Sequence, residues 1–444
     1  MKKQFLVGIL FLGIISITKA QTKNLENLLF ELPDVIFRKI ETAKGFESTY
    51  ELKIKQPKDH TDPSKGFFYQ RVFLTHKGFD RPTVIITEGY KRSKNKIYEL
   101  TELIGANQID VEHRFFGKSI PEPRDYKYLN LKQATADLHQ VRELLGRIYK
   151  SKWLSTGISK GGATTIFYKY FYPNDVDVSV PYVAPINRSF EDPRIYSFLD
   201  QVGSNDCRKK IKDFQVRLFK NRDKIMPLLK FYSKGRKSKF TYVPIEKAFE
   251  YAILEYPFSF WQFGSVDCNE IPDKNASVED LVLHMNRVSD IHFYSDAKID
   301  YLEPHYYQSA EEMGYYGYEI KKFRKYLKFI PKRKNPHATF IPSRSEKIVF
   351  NDETLVGVNK WLDKEADKLI YIYGEIDTWS ATAVPENSKV DSEWFFMEGK
   401  HHGNARIKNM NNSEKERLIA TLEKWLSIKI EESGSTIIHK GTNY

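Results

Sequence analysis

Gly157-Ile158-Ser159-Lys160-Gly161 sets a serine between two glycines, directly after the strand-like run Trp153-Leu154-Ser155-Thr156 and before a helix-like run that continues through Phe171. A strand-to-helix turn this tight has no room for a side chain at either flank, so glycines there leave the serine hydroxyl exposed above a sheet. Such a hydroxyl attacks a carbonyl carbon only if an imidazole takes its proton and a carboxylate holds that imidazole in the right tautomer. Both partners occur downstream, each after a strand-like run. Asp377 follows residues 368–373 and Gly374, while His401 and His402 follow residues 394–397 and Gly399. The order serine, acid, histidine is that of hydrolases built around a nucleophile elbow. Asp377 is preferred to Glu375 because it lies deeper in its loop, and His401 is preferred as the base, with His402 the alternative.

The tetrahedral intermediate of such an attack needs two backbone donors for its oxyanion. One is the amide of the residue after the nucleophile, Lys160. The other comes from an earlier loop, here Thr87-Glu88-Gly89-Tyr90, where the amide of Gly89 or Tyr90 is the candidate and the glycine permits close approach. No His-Glu-x-x-His or comparable ligand spacing occurs, so neither a metal nor a cofactor is expected. His113, in Glu112-His113-Arg114, reads as a structural residue packed behind the sheet.

The elements that must position these groups follow from periodicity. Residues 50–54 and 66–75 alternate apolar and polar side chains across a turn-rich segment and predict two antiparallel strands. Short β-branched runs at 83–87 and 109–112 flank a helix-length stretch, 94–103, and a helix-patterned segment, 130–148, leads into the elbow strand; another buried strand is expected at 176–183. This is the rhythm of a parallel α/β sheet, with the nucleophile at a strand's carboxyl end. From about 185 to 345 the pattern changes to charged amphipathic stretches such as 209–230, with an aromatic segment at 242–263. Strands then return at 368–373 and 394–397, and an amphipathic helix closes at 414–427, capped near Asn412 or Ser413. The fold expected is an α/β-hydrolase core with a mostly parallel sheet and a large, mainly helical cap. Its parts are core at 21–185, cap at 186–345 and core again at 346–444.

Residues 1–20 have a cationic start, a short apolar run and small residues at the end, the form of a secretory signal cleaved after Ala20. The chain is therefore expected outside the cytosol, secreted or periplasmic, without stable membrane association after cleavage. In that compartment Cys207 and Cys268, the chain's two cysteines, predict one disulfide. A net charge of +12 invites a polyanion partner. The lysines are scattered, however, and only Lys234-Gly235-Arg236-Lys237-Ser238-Lys239 and Lys332-Arg333-Lys334 cluster, so the charge reads as solvated surface and no nucleic-acid partner is expected.

Eight ordered pieces resemble the bacterial secreted tripeptidyl and tetrapeptidyl aminopeptidases, serine peptidases related to lysosomal prolyl carboxypeptidase and dipeptidyl peptidase. They are Thr87-Glu88-Gly89-Tyr90, Glu112 to Ser119, Gln133 to Leu138, the elbow with Gly162, Tyr256-Pro257-Phe258, Tyr307-Gln308 with Glu312, Gly374 to Ser380, and Glu398 to His402. The resemblance implies cleavage after proline and release of short peptides from a free amino terminus. It also implies that Trp379, two residues after the acid, lines a proline pocket, for which a flat aromatic face is suited. Two positions depart from the related lysosomal enzymes, which carry proline at Thr378 and an aromatic residue at Lys160. An aminopeptidase needs a carboxylate for the substrate's ammonium, and Glu312 and Glu88 are the candidates by their place in the matching pieces. The alternatives are an esterase or lipase of the same fold and a catalytically inactive surface-binding protein.

Overall fold

The computed structural model describes residues 24–331, 340–342 and 348–430. The expected signal and the cluster Lys332-Arg333-Lys334 lie outside the described residues. Nine strands form one sheet: β1 (Val35–Ile40), β2 (Ser48–Pro57), β3 (Phe67–His76), β4 (Thr83–Thr87), β5 (Asn107–Val111), β6 (Trp153–Ile158), β7 (Val178–Tyr182), β8 (Ile370–Gly374) and β9 (Glu393–Met397). Their spatial order is β1-β2-β3-β5-β4-β6-β7-β8-β9. The first three strands are antiparallel and β3 meets β5 antiparallel, whereas every pairing from β5 through β9 is parallel. This is the expected α/β architecture with one more strand at its edge. β1 escaped prediction because it is half exposed and carries Arg38 and Lys39 in an interrupted alternation.

Alternation along β4 explains how the sheet is covered on both faces. Val84 and Ile86 join a core with Leu418, Leu422 and Trp425 of the closing helix, Asn412–Leu426, while Ile85 points the other way. It packs with Leu138, Val141 and Leu145 of the helix Leu131–Leu145. A strand buried on both faces must be apolar throughout, which is why its sequence reads as a continuous run. The closing helix is capped one residue earlier than expected: Asn411 accepts from the Glu414 amide at 2.9 Å in a capping box. The expected helix at 94–103 is shortened to Glu99–Leu103. Asn95 donates to the Thr75 hydroxyl at 2.9 Å and Gln108 donates to the Lys96 carbonyl at 2.8 Å, contacts that hold the preceding residues out of helical form.

Two of the resemblance segments prove to be one scaffold contact. Arg114 reaches both carboxylate oxygens of Asp137 at 2.7 Å, wholly out of solvent, and donates to the carbonyls of Tyr128 at 2.6 Å and Lys58 at 3.0 Å. Breaking a buried pair of this kind costs about 3–5 kcal/mol, because one charge is left without a partner.

Between β7 and β8 the chain runs through the helices Asn205–Lys220, Arg222–Gly235, Ile245–Phe263, Val278–Val288 and Asp296–Gln308, which share an apolar core of their own. The single stretch expected at 209–230 is two helices, parted at Asn221, whose backbone and side chain both donate to the Arg217 carbonyl. Cys207 and Cys268 are joined, with their Cα atoms 5.5 Å apart. The helix Ile245–Phe263 contains Pro257, which cannot donate to the Ile253 carbonyl. Gln215 fills that gap at 2.7 Å from a neighbouring helix.

Candidate active site

The elbow has the geometry its glycines foretell. Ser159 stands at φ 60° and ψ −123°, a left-handed conformation that an L-residue adopts only when its surroundings hold it there. Its amide donates to the Tyr182 carbonyl at 2.9 Å, pinning the turn to β7. A Cβ on Gly161 would lie 2.6 Å from the Thr87 carbonyl oxygen, so nothing larger than glycine fits. Across the elbow, a Cβ on Gly89 would come within 2.7 Å of Lys160 Cβ and 2.8 Å of the Gly161 amide. The Thr87-to-Tyr90 loop thus presses on the first turn of the helix Lys160–Phe171, where backbone N–H groups have no partner within the helix. That sets Gly89 directly against Lys160 and the Gly161 amide.

Asp377 is fully buried and accepts the Trp379 amide on one oxygen at 3.1 Å. Its other oxygen lies 2.7 Å from Nδ1 of His402. The preferred assignment of His401 is therefore corrected: the histidine paired with the acid is His402. His401 turns away, its Nδ1 accepting the Gly403 amide at 3.2 Å and its ring lying beside Gly264. A bond from the His402 amide to the Gln262 carbonyl at 3.0 Å decides which of the two neighbours faces the acid. Glu375, the competing acid, is exposed and accepts the Gly399 amide at 2.9 Å.

A cavity of about 330 Å³ opens at Ser159, lined also by Tyr90, Lys160, Glu255, Tyr315 and Trp379. This falls within the roughly 300–1,000 Å³ of ligand sites. Trp379 belongs to an aromatic cluster, with ring centroids 5.1 Å from Phe258, 5.4 Å from Tyr315 and 5.5 Å from Tyr316. Neither expected ammonium-binding carboxylate lines this cavity. Glu88 is held by Arg92 and the Tyr98 hydroxyl. Glu312 accepts the Leu131 amide at 2.7 Å, at the start of the helix Leu131–Leu145. Burial pushes Glu312 up to about 8 and Lys160 down to about 7.

His113 is not behind the sheet. Its Nε2 lies 3.3 Å from Nζ of Lys160, and its Nδ1 is 2.7 Å from the Arg114 carbonyl oxygen. Burial, then the neighbouring Lys160, holds its pKa well below the usual histidine value. Among the described residues, His139, Glu143 and Asp175 lie close enough together to suggest a cation. Asp175 there already meets His139 Nδ1 at 2.8 Å and the Tyr168 hydroxyl at 2.7 Å.

Sequence reasoning missed Glu255, although it directly precedes the matched segment Tyr256-Pro257-Phe258. An acid within a helical stretch buried from Ala248 through Tyr256 was the available signal. Glu250, in the same stretch, is accounted for by Arg222 at 2.6 Å and by the amides of Lys328, Phe329 and Ile330.

The PS-10 peptidase S37 family profile matches residues 20–437. The chain belongs to this family. Like other members of it, the protein is a serine peptidase. It is 30% identical over 420 residues, 93% of its own length, to the prolyl tri/tetrapeptidyl aminopeptidase of Streptomyces mobaraensis, 87% of which is covered. Among solved structures, the proline iminopeptidase of Mycobacterium smegmatis is 13% identical, with a TM-score of 0.38 over 84% of this chain and 97% of that one. A proline iminopeptidase-related protein of Thermus thermophilus is 11% identical, with a TM-score of 0.39 over 85% and 99%. Likenesses of that size carry no weight for the site. No helix among the described residues is long and apolar enough to cross a membrane.

Proposed function

We propose that this S37 peptidase cleaves after proline near the free amino terminus of peptides and releases tri- or tetrapeptides through an acyl-enzyme. The observation that carries the reading is the cavity that holds Ser159 and Trp379 together, in a chain similar over most of its length to a prolyl tri/tetrapeptidyl aminopeptidase. In this reading Ser159 Oγ attacks the carbonyl carbon after proline. His402 takes the hydroxyl proton and later delivers it to the departing amine, and Asp377 holds the imidazole by its Nδ1 and stabilises the cation that forms. The amides of Lys160 and of Gly89 or Tyr90 receive the oxyanion. The pyrrolidine ring rests on Trp379. Water then repeats the attack on the ester and frees the short peptide.

A proline-ended tripeptide amide of a chromogenic amine, run beside a short acyl ester, separates this reading from an esterase. Amide cleavage is expected, with intact tri- or tetrapeptides ending in proline among the products of a peptide library by mass spectrometry. Cleavage of the ester alone would overturn the peptide reading.

The protein is further proposed to be exported, on the strength of the cationic and apolar residues 1–20. Amino-terminal sequencing of the mature protein should begin at Gln21. A mature chain that still starts at Met1 rules the cleaved signal out.

A further inference from the structure

Glu255 lines the same cavity as Ser159 yet has no part in the acyl-transfer chemistry. It is 6% exposed, and among the described residues no lysine, arginine or histidine forms an ion pair with it. Its partners are hydroxyls: Ser259 donates to one oxygen at 2.7 Å and Tyr316 to the other at 2.8 Å. Burial pushes its pKa up to about 7. A carboxylate withdrawn from water and left without a cation is costly unless something else brings the charge.

Other acids near the cavity differ. Glu250 has Arg222, and Asp290, which also lines the cavity, has Arg236. The charge lacking at Glu255 is that of an ammonium, which brings three donors to the acceptor sites left on the carboxylate. The acid is also tied to the aromatic wall. The Tyr316 ring that donates to it stacks on Phe258 at 3.8 Å and lies edge-on to Trp379 at 5.5 Å, so the same tyrosine touches the acid and the surface offered to proline. Lys160, on the same cavity, offers no negative charge to an amine.

We infer that Glu255, held by Ser259 and Tyr316, is the residue that binds the substrate's amino-terminal ammonium and so limits cleavage to the first few residues. The inference rests on the peptidase reading above and supplies a recognition element in place of Glu88 and Glu312.

The test compares kcat/KM for a proline-ended tripeptide amide of a chromogenic amine with that for its N-acetyl form, in the wild-type protein, Glu255→Gln and Glu255→Asp. Titration of Ser159 with a fluorophosphonate counts the folded sites in each preparation. Wild type is expected to favour the free amine. Glu255→Gln should lose roughly 10–100-fold of that preference, the worth of a hydrogen bond to a charged group, and Glu255→Asp, which keeps the charge, should retain several-fold more of it than Gln. A Gln variant with the wild-type ratio overturns the role of Glu255 and leaves the peptidase reading intact. A wild-type protein indifferent to acetylation overturns the requirement for a free amino terminus and, with it, the role of Glu255.

Discussion

Replacement of Ser159 by alanine is expected to lower kcat on a prolyl peptide amide by roughly 10⁶-fold, the loss seen when a nucleophile is removed from a triad that works as a unit. The variant should unfold at the same urea concentration as the parent. Alanine fits the φ of 60° no worse than serine, since both carry a Cβ, and what strain the turn holds belongs to the backbone. Turnover that survives in Ser159→Ala, after correction for contaminating peptidases, would mean that the elbow is only a turn.

His402 and His401 provide the second large effect, and a comparison within one loop. His402→Ala should cost roughly 10⁴–10⁶-fold in kcat, because the serine then has no base. His401→Ala should stay within about tenfold, since its ring meets the Gly403 amide and neither Asp377 nor the cavity. Asp377→Asn should fall between, at roughly 10⁴-fold, by holding the imidazole in the wrong tautomer. If His401→Ala were the more damaging of the pair, the geometry that joins His402 to Asp377 would not be the one that turns over substrate.

The legible parts of this chain are those in which local chemistry leaves one solution. The elbow is visible because its flanking positions admit no side chain, and β4 because burial on both faces imposes an unbroken apolar run. The order of serine, acid and histidine is visible because each follows a strand end. What tells His401 from His402 is not local. Both are imidazoles in one loop, and the choice is made by the Gln262 carbonyl, far earlier in the chain, holding the His402 amide. Glu255 was hidden for a related reason. A carboxylate gains or lacks a partner only when the helices around it assemble, and nothing in the sequence beside Glu250 or Glu255 says that one meets an arginine and the other only hydroxyls. β1 was hidden by exposure, which relaxes the alternation that marks a half-buried strand.

The helix Ile245–Phe263 belongs by position to the inserted helices, but its hydrogen bonds belong to the catalytic loops. Its Gln262 carbonyl receives the His402 amide, and its Phe258 carbonyl receives the Thr378 hydroxyl at 2.9 Å, one residue beyond Asp377. The acid and the base are thus each moored to one rigid rod that also carries Glu255. A displacement of that rod would pull on both catalytic loops at the moment it reshaped the cavity that Glu255 lines. The shape of the cavity and the placement of acid and base therefore hang on one helix, the spine of the site.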